Sequence, residues 1–345
     1  MMIRNTCLMR WIVPCCVLLA VAPARADDAL LARGAALLKQ GDLDGALATF
    51  SRAIKINPGD PRGYYQRGVC HERKKDARAA AADYRKAIKL KPNFPEPHNN
   101  LGALLHEEGK LEAAIKQLRL AVKHRPKYPE AWYNLGLAYY ETKRFKEAAA
   151  AYRRAARLRP RDPDSRINLG GALLHTGDLT GAIEQLKAAV KLAPRNPMAR
   201  FSYGSLLMKQ GDLAGAEVQL KRAAALDPRY TRAWIRLGRV LARQGKHEAA
   251  VAALRRAQAL APKSAELRCL VGKVYRKWGK TKQALAEYRA ALKIDPAFHQ
   301  AHLLRGLALA ADGKCRAARK AFKTFVARQK GLPPGTLKKL SAKCK

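Results

Sequence analysis

Arg232, Arg236, Arg239 and Arg243 are separated by four, three and four residues, and no Asp or Glu lies between the first and the last. On a helix this spacing places all four guanidinium groups on one face. Like charges at i,i+4 repel by roughly a few tenths of a kcal/mol per pair, so the stripe works against its own helix. Guanidinium groups bind carboxylates and phosphates in a bidentate way. The stripe is therefore read as a docking surface for an anionic segment, with a solvated face as the alternative. Other chemistry is hard to find. His299 and His302 stand at i,i+3, but a metal would need a third ligand, so a solvated pair is the expectation and no metal site is assigned. No Gly-rich phosphate loop, GxSxG elbow or HExxH motif occurs. Neither catalysis nor a cofactor is expected.

The 345 residues carry a formal net charge of +41, an excess that implies anionic partners. Part of it is ordinary helix electrostatics. Lys86, Lys89, Arg153, Arg154, Arg157, Lys187, Lys191, Arg255 and Arg256 fall late in expected helices, while Glu96, Glu130, Asp164 and Glu266 fall early in others. Both placements complement the helix dipole. What remains is uneven: residues 231–345 hold 28 Lys and Arg against 5 Asp and Glu, whereas residues 27–230 hold 37 against 22.

Residues 1–26 read as a cleaved signal peptide. Arg4 and Arg10 precede the apolar stretch Trp11 to Ala22, and Ala24-Arg25-Ala26 is a small-x-small cleavage site. Cys15 and Cys16 keep a lipid anchor open as a minor alternative. An exported protein, periplasmic or secreted, without a transmembrane segment after cleavage is expected. Cys70, Cys269, Cys315 and Cys344 would remain, with no CxxC spacing. Cys315 and Cys344 form a disulfide if the tail folds back on the last helix; otherwise these thiols act as small buried hydrophobes.

The elements that must position the arginines follow one clock. Pro58, Pro92, Pro126, Pro160, Pro194, Pro228, Pro262 and Pro296 recur every 34 residues, and glycines from Gly34 to Gly306 and alanines from Ala46 to Ala318 keep the same step. The fullest unit reads Trp132-x-x-Leu135-Gly136-x-x-Tyr139, then Ala148-x-x-x-Tyr152, Ala155 and Pro160. This pattern resembles the tetratricopeptide-repeat (TPR) family, a helix-turn-helix array, from residue 27 to about residue 332. The resemblance implies an all-α, right-handed superhelical solenoid of nine repeats over 27–332: 27–60, 61–94, 95–128, 129–162, 163–196, 197–230, 231–264, 265–298 and 299–332. Gly136 and Ala148 would let the two helices of a unit approach, with Trp132, Leu135, Tyr139 and Tyr152 filling the space between them. Phe325 replaces alanine in the ninth unit, and Pro333-Pro334-Gly335 breaks the chain. Residues 333–345 are expected to cap the last repeat, with Leu337 and Leu340 on one face of a short helix.

In this family the positions of the four arginines line the concave groove, and the resemblance adds Lys209, Lys273, Arg276 and Lys277 from flanking units to the same docking patch. Arg232 and Arg236 match two positions of the family's carboxylate clamp, but Ser202, Ile167 and Gly171 replace the other three, so a chaperone-tail receptor is not expected. Gln66, Asn100, Asn134 and Asn168 form a ladder at the same step, similar to the asparagine ladder of O-linked N-acetylglucosamine transferases, and would contact a peptide backbone. Tyr65, Tyr133 and Phe201 beside it are candidate apolar anchors. A non-catalytic scaffold for an extended, partly acidic peptide is the expected function, in assembly of an envelope or secreted complex. Two other readings stand beside it: a binder of anionic polymer (lipopolysaccharide, cell-wall polymer or nucleic acid without sequence specificity) and a spacer.

Overall fold

The computed structural model describes residues 26–328 and 335–342. All but one residue of the signal segment, together with Cys344 and hence any Cys315–Cys344 bond, lie outside them. Cys315 itself is half-buried. Cys70 and Cys269 are buried thiols, pushed up to about 11 and about 12 by their apolar surroundings. Among the described residues there is no strand, only helices and short turns.

Two compact units meet in sequence at Glu108 and Gly109. The first contains α1 (Ala26–Gln40), α2 (Leu43–Ile56), α3 (Pro61–Arg73), α4 (Ala77–Leu90) and α5 (Pro95–Glu107). The second begins with α6 (Leu111–His124), α7 (Pro129–Glu141), α8 (Phe145–Leu158), α9 (Pro163–Thr176) and α10 (Leu179–Leu192). It continues through α11 (Pro197–Gln210), α12 (Leu213–Leu226), α13 (Thr231–Arg243), α14 (His247–Leu260) and α15 (Ala265–Lys277). It closes with α16 (Thr281–Ile294), α17 (His299–Ala311), α18 (Cys315–Arg328) and α19 (Thr336–Ser341). In each unit consecutive helices pack on one another, and in the second α11 also touches both α9 and α13. Among the described residues, each unit is an all-α stack of helix pairs, as in a solenoid.

The boundaries have local causes. Pro61, Pro95, Pro129, Pro163 and Pro197 open their helices, where a missing N–H costs nothing. Asp42, Asp76, Asp178 and Asp212 cap the second helices of four pairs by accepting from backbone N–H groups of the first turn. The turn inside each pair needs one left-handed residue: Gly41, Gly109, Gly177, Gly211, Gly245, Gly279 and Gly313 supply it, but Lys75 and Lys143 occupy the same register with φ of 64° and 61°. A side chain in that region is strained.

The turn between pairs carries a contact that the proline clock conceals. Trp132 Nε1 donates to the Pro126 carbonyl at 2.9 Å and Trp234 Nε1 to that of Pro228 at 3.0 Å. Arg200 Nε donates to Pro194 O at 2.7 Å, and the His98 ring meets Pro92 O at 2.8 Å. Different side chains thus satisfy the same carbonyl six residues earlier, in the turn two residues past the preceding helix. Trp132, expected between the two helices of its pair, is half-buried and also ties its indole N–H to this turn. Leu135, Tyr139, Ala148 and Tyr152 are buried between the helices.

Helices of a pair touch closely at the glycines of the repeat. A Cβ added at Gly136 would meet the Tyr152 ring at 2.6 Å, and one added at Gly272 would meet the Tyr288 ring at 2.5 Å. At the far end Leu337 and Leu340 of α19 pack on the cluster containing Leu304, Leu309 and Phe322.

Two substitutions of opposite sign follow. Gly136→Ala is expected to lose about 1–3 kcal/mol, because the buried Tyr152 ring must shift, a cost exceeding the gain of about 1 kcal/mol in helix propensity. Lys143→Gly is expected to gain about 1 kcal/mol by removing the left-handed strain. Thermal unfolding of the two variants should move the midpoint down and up respectively; equal midpoints would refute both assignments.

Candidate functional site

α11, α13 and α15 lie side by side in the second unit, and an open groove of about 400 Å³ runs across them. Arg236, Arg239 and Arg243 from α13 and Lys273 and Lys277 from α15 line it, around Met208, Ala242, Leu254, Leu270 and Val274. No Asp or Glu is part of this lining. The spacing explains the arrangement: residues three and four apart share a helix face, and Lys273 and Lys277 repeat the positions of Arg239 and Arg243 one 34-residue step later.

The charges are left facing one another. Burial lowers the Arg236 pKa, and Arg239, Arg232 and Arg243 lower it further. Only neutral acceptors hold the rim: Arg243 reaches the Met208 carbonyl at 3.5 Å and Lys277 the Ala242 carbonyl at 3.4 Å. Elsewhere cations meet acids, as in Arg67 with Asp83 at 2.8 Å, Arg144 with Glu147 at 2.9 Å and Lys246 with Glu217 at 2.6 Å.

Five of the eight candidate docking cations are therefore brought together. The other three are placed differently. Arg232 stacks its guanidinium over the Phe201 ring at 5.2 Å, a cation–π contact. Lys209 is exposed in the last turn of α11, one residue past Met208. The Arg276 charge opposes the rise in the pKa of buried Tyr288, which burial still pushes up to about 12.

The ladder residues do not stand open. Gln66 and Asn100 belong to the first unit, Asn134 and Asn168 to the second, and all four are half-buried. Asn100 Nδ2 donates to the Tyr84 hydroxyl at 3.2 Å, and its Oδ1 accepts from Asn99 at 3.1 Å. Asn168 Nδ2 donates to the Tyr133 hydroxyl at 2.8 Å. Carboxamides at this register thus tie tyrosines into the scaffold. The expected apolar anchors are correspondingly occupied. Phe201 is only 7% exposed and lies against Tyr230 as well as Arg232. Tyr133 packs edge-on to Tyr152, and Tyr65 lies 5.3 Å from Phe94. The apolar surface in the cationic groove comes instead from Met208, Leu270 and Val274, which sequence reasoning did not single out although Met208 and Val274 adjoin the chosen Lys209 and Lys273.

No group of three or more His, Cys, Asp or Glu able to hold a metal is found among the described residues. His302 meets the Pro296 carbonyl at 3.2 Å, and His299 lies among Phe298 and Phe325. Among the described residues, no helix is long and apolar enough to cross a membrane.

A tetratricopeptide-repeat family model matches residues 18–61, 31–96, 99–163, 144–197 and 167–224, and related repeat models match 207–274 and 272–313. No curated protein matches the chain significantly. Among solved structures, the Cut9–Hcn1 hetero-tetramer of the APC/C matches at 19% identity with a TM-score of 0.55, over 82% of this chain and 56% of that one. Pseudomonas aeruginosa pilF matches at 20% with a TM-score of 0.52, over 59% and 92%. YrrB, described as a TPR protein with an unusual peptide-binding site, matches at 27% with a TM-score of 0.46, over 53% and 94%. At these identities the first two share the fold with this chain.

Relief of repulsion gives the groove a measurable signature. Arg239→Glu is expected to raise stability by roughly a few tenths of a kcal/mol or more, seen as a higher unfolding midpoint at low salt that converges on wild type at high salt. A lower midpoint at low salt would show that the arginines do not repel.

Proposed function

The chain belongs to the tetratricopeptide-repeat family, whose repeats serve as protein–protein interaction scaffolds, and from that premise we propose that its groove between α11, α13 and α15 grips an extended, acidic segment of a partner protein. The supporting observation is the meeting of five cations with no lining acid around an apolar floor. An extended peptide turns successive side chains to opposite sides. A segment mixing carboxylates with apolar residues could place carboxylates against Arg239, Arg243 and Lys277 and an apolar residue on Met208, Leu270 and Val274. Carboxylates paired with guanidinium groups form charge-assisted, bidentate hydrogen bonds. The floor supplies attraction that salt does not screen.

Repeat scaffolds of this family are generally non-enzymatic, and we assign this chain no chemistry of its own. The signal-like residues 1–26 support an exported location, and a role in assembling an envelope or secreted complex follows by analogy with exported scaffolds of this fold. The asparagine ladder is a secondary contact at most, since donors of Asn100 and Asn168 already serve tyrosine hydroxyls.

Binding of anionic polymer is the second reading. It draws on the excess of 28 cations over 5 acids in residues 231–345. The readings separate by salt and by variant. Fluorescence anisotropy with a short peptide alternating Glu and Leu should show binding that persists at about 150 mM salt. Changing Arg232, Arg236, Arg239 and Arg243 together to Ala should weaken it by about 10-fold or more, or about 1.4 kcal/mol. Binding of polyanionic DNA or lipopolysaccharide alone, lost steeply with salt and barely altered in the variant, would replace the peptide reading with the polymer one.

A further inference from the structure

The groove cations all belong to α13 and α15, but the second helices of the pairs carry a row of their own. Arg119, Arg153 and Lys187 follow one another at 34-residue steps, and Lys221, Arg255, Arg289 and Lys323 continue the series without a gap. Each is the ninth residue of a 14-residue helix, from α6 to α18. All seven are exposed. The helix dipole does not account for them, because its effect is confined to the last turn, which begins two positions later. Among the described residues only Arg255 of the seven forms an ion pair, with Glu287 on α16.

Successive rungs of this row stand on neighbouring helices. Lys246 at the start of α14 meets Glu217 on α12 at 2.6 Å, and Arg144 at the start of α8 comes within 4.0 Å of Glu112 on α6. Arg255 itself reaches across to α16. Adjacent second helices thus lie within one side chain of each other, and equal positions on them put the rungs in file. First helices pack more closely: α11 touches α9 and α13, and α15 touches α17, whereas no two second helices among the described residues are in comparable contact. The row therefore opens outward. A rigid duplex or a flat bilayer would meet only part of it, whereas a flexible chain can follow it. Rings that could stack on bases are not free here: Tyr152, Tyr288, Phe322 and Phe325 are buried, and Phe145 lies against Tyr140 and His175. The acids within one turn of a rung on its own helix are Glu184, Glu217 and Glu287. Lys246 holds Glu217, while Arg255 and Arg268 hold Glu287.

We propose that this row binds a flexible acidic polysaccharide, one with carboxylates along its length and no apolar substituent. It is a surface of its own, independent of the peptide groove. Guanidinium and ammonium groups pair with carboxylates, and each exposed pair alone is weak. Repetition along one polymer supplies the affinity, since each pairing raises the effective concentration for the next.

Fluorescence anisotropy of labelled polygalacturonate with the full-length chain, at about 100 mM salt, tests the row. One variant combines Arg119→Gln, Arg153→Gln and Lys187→Gln, three exposed rungs. A second combines Lys127→Gln, Arg195→Gln and Lys263→Gln, which removes the same charge from exposed turn positions. The row variant should bind about 10-fold or more weakly. Its slope of log affinity against log salt should be shallower by about 1–2. The turn variant should lose less than about threefold. Free galacturonate at equal carboxylate concentration should compete about 100-fold less well than the polymer. Changing the four groove arginines to Ala should cost less than the row variant does, so the row and the peptide groove stand or fall separately. Equal losses in the two triple variants would reduce the binding to diffuse charge and overturn the proposal. Absence of saturable binding would do the same, as would row-dependent binding of single-stranded DNA or anionic vesicles tighter than that of polygalacturonate.

Discussion

A ring or a leucine laid against a glycine sets the distance at which each helix pair closes. Tyr152 against Gly136, Leu220 against Gly204 and Tyr288 against Gly272 leave no space for a Cβ. A close approach of this kind is fixed by packing, and protein interiors resist even one added methylene. Because the same contact recurs every 34 residues, successive pairs place their first helices at matching heights. This is how positions on α11, α13 and α15 separated by a repeat or two come to line one groove.

On that frame, electrostatics separates scaffold from site. Several acids are engaged in the scaffold: Asp42 and Asp212 as caps, Asp83 with Arg67, Glu287 with Arg255 and Arg268. The cations of the groove meet only backbone carbonyls and one another. A stripe that opposes its own helix persists because the repeat contacts exceed the repulsion, which is roughly a few tenths of a kcal/mol per pair. Unpaired charge over an apolar floor is a local departure from the consistency found in the rest of the chain, and such departures concentrate at functional sites.

Much of the architecture was legible because its constraints act on residue type. Only glycine fits beneath Tyr152, and proline suits the first turn of a helix, so both leave marks on the 34-residue clock. The arginine stripe was legible for the same reason, through helix periodicity. The rest depends on where a side chain turns, which type alone does not fix. Trp132 was legible as a packing residue, but not the hydrogen bond by which its indole N–H satisfies a carbonyl of the preceding turn. His98, Arg200 and Trp234 do the same work with different chemistry, so no single residue type betrays the position. Phe201 seemed an open anchor because its coverage by Arg232 and Tyr230 is a tertiary fact.

The account rests on a direct pairing between groove cations and carboxylates of the bound segment. A double-mutant cycle measures that pairing: Arg239→Glu in the chain, Glu→Lys in the alternating Glu and Leu peptide, and both together, with affinity read by anisotropy. Paired charges should couple by about 0.5–3 kcal/mol, so the reversed peptide should bind the reversed chain better than either single change predicts. Losses that merely add would contradict direct pairing and leave the groove cations as part of a diffuse basic surface.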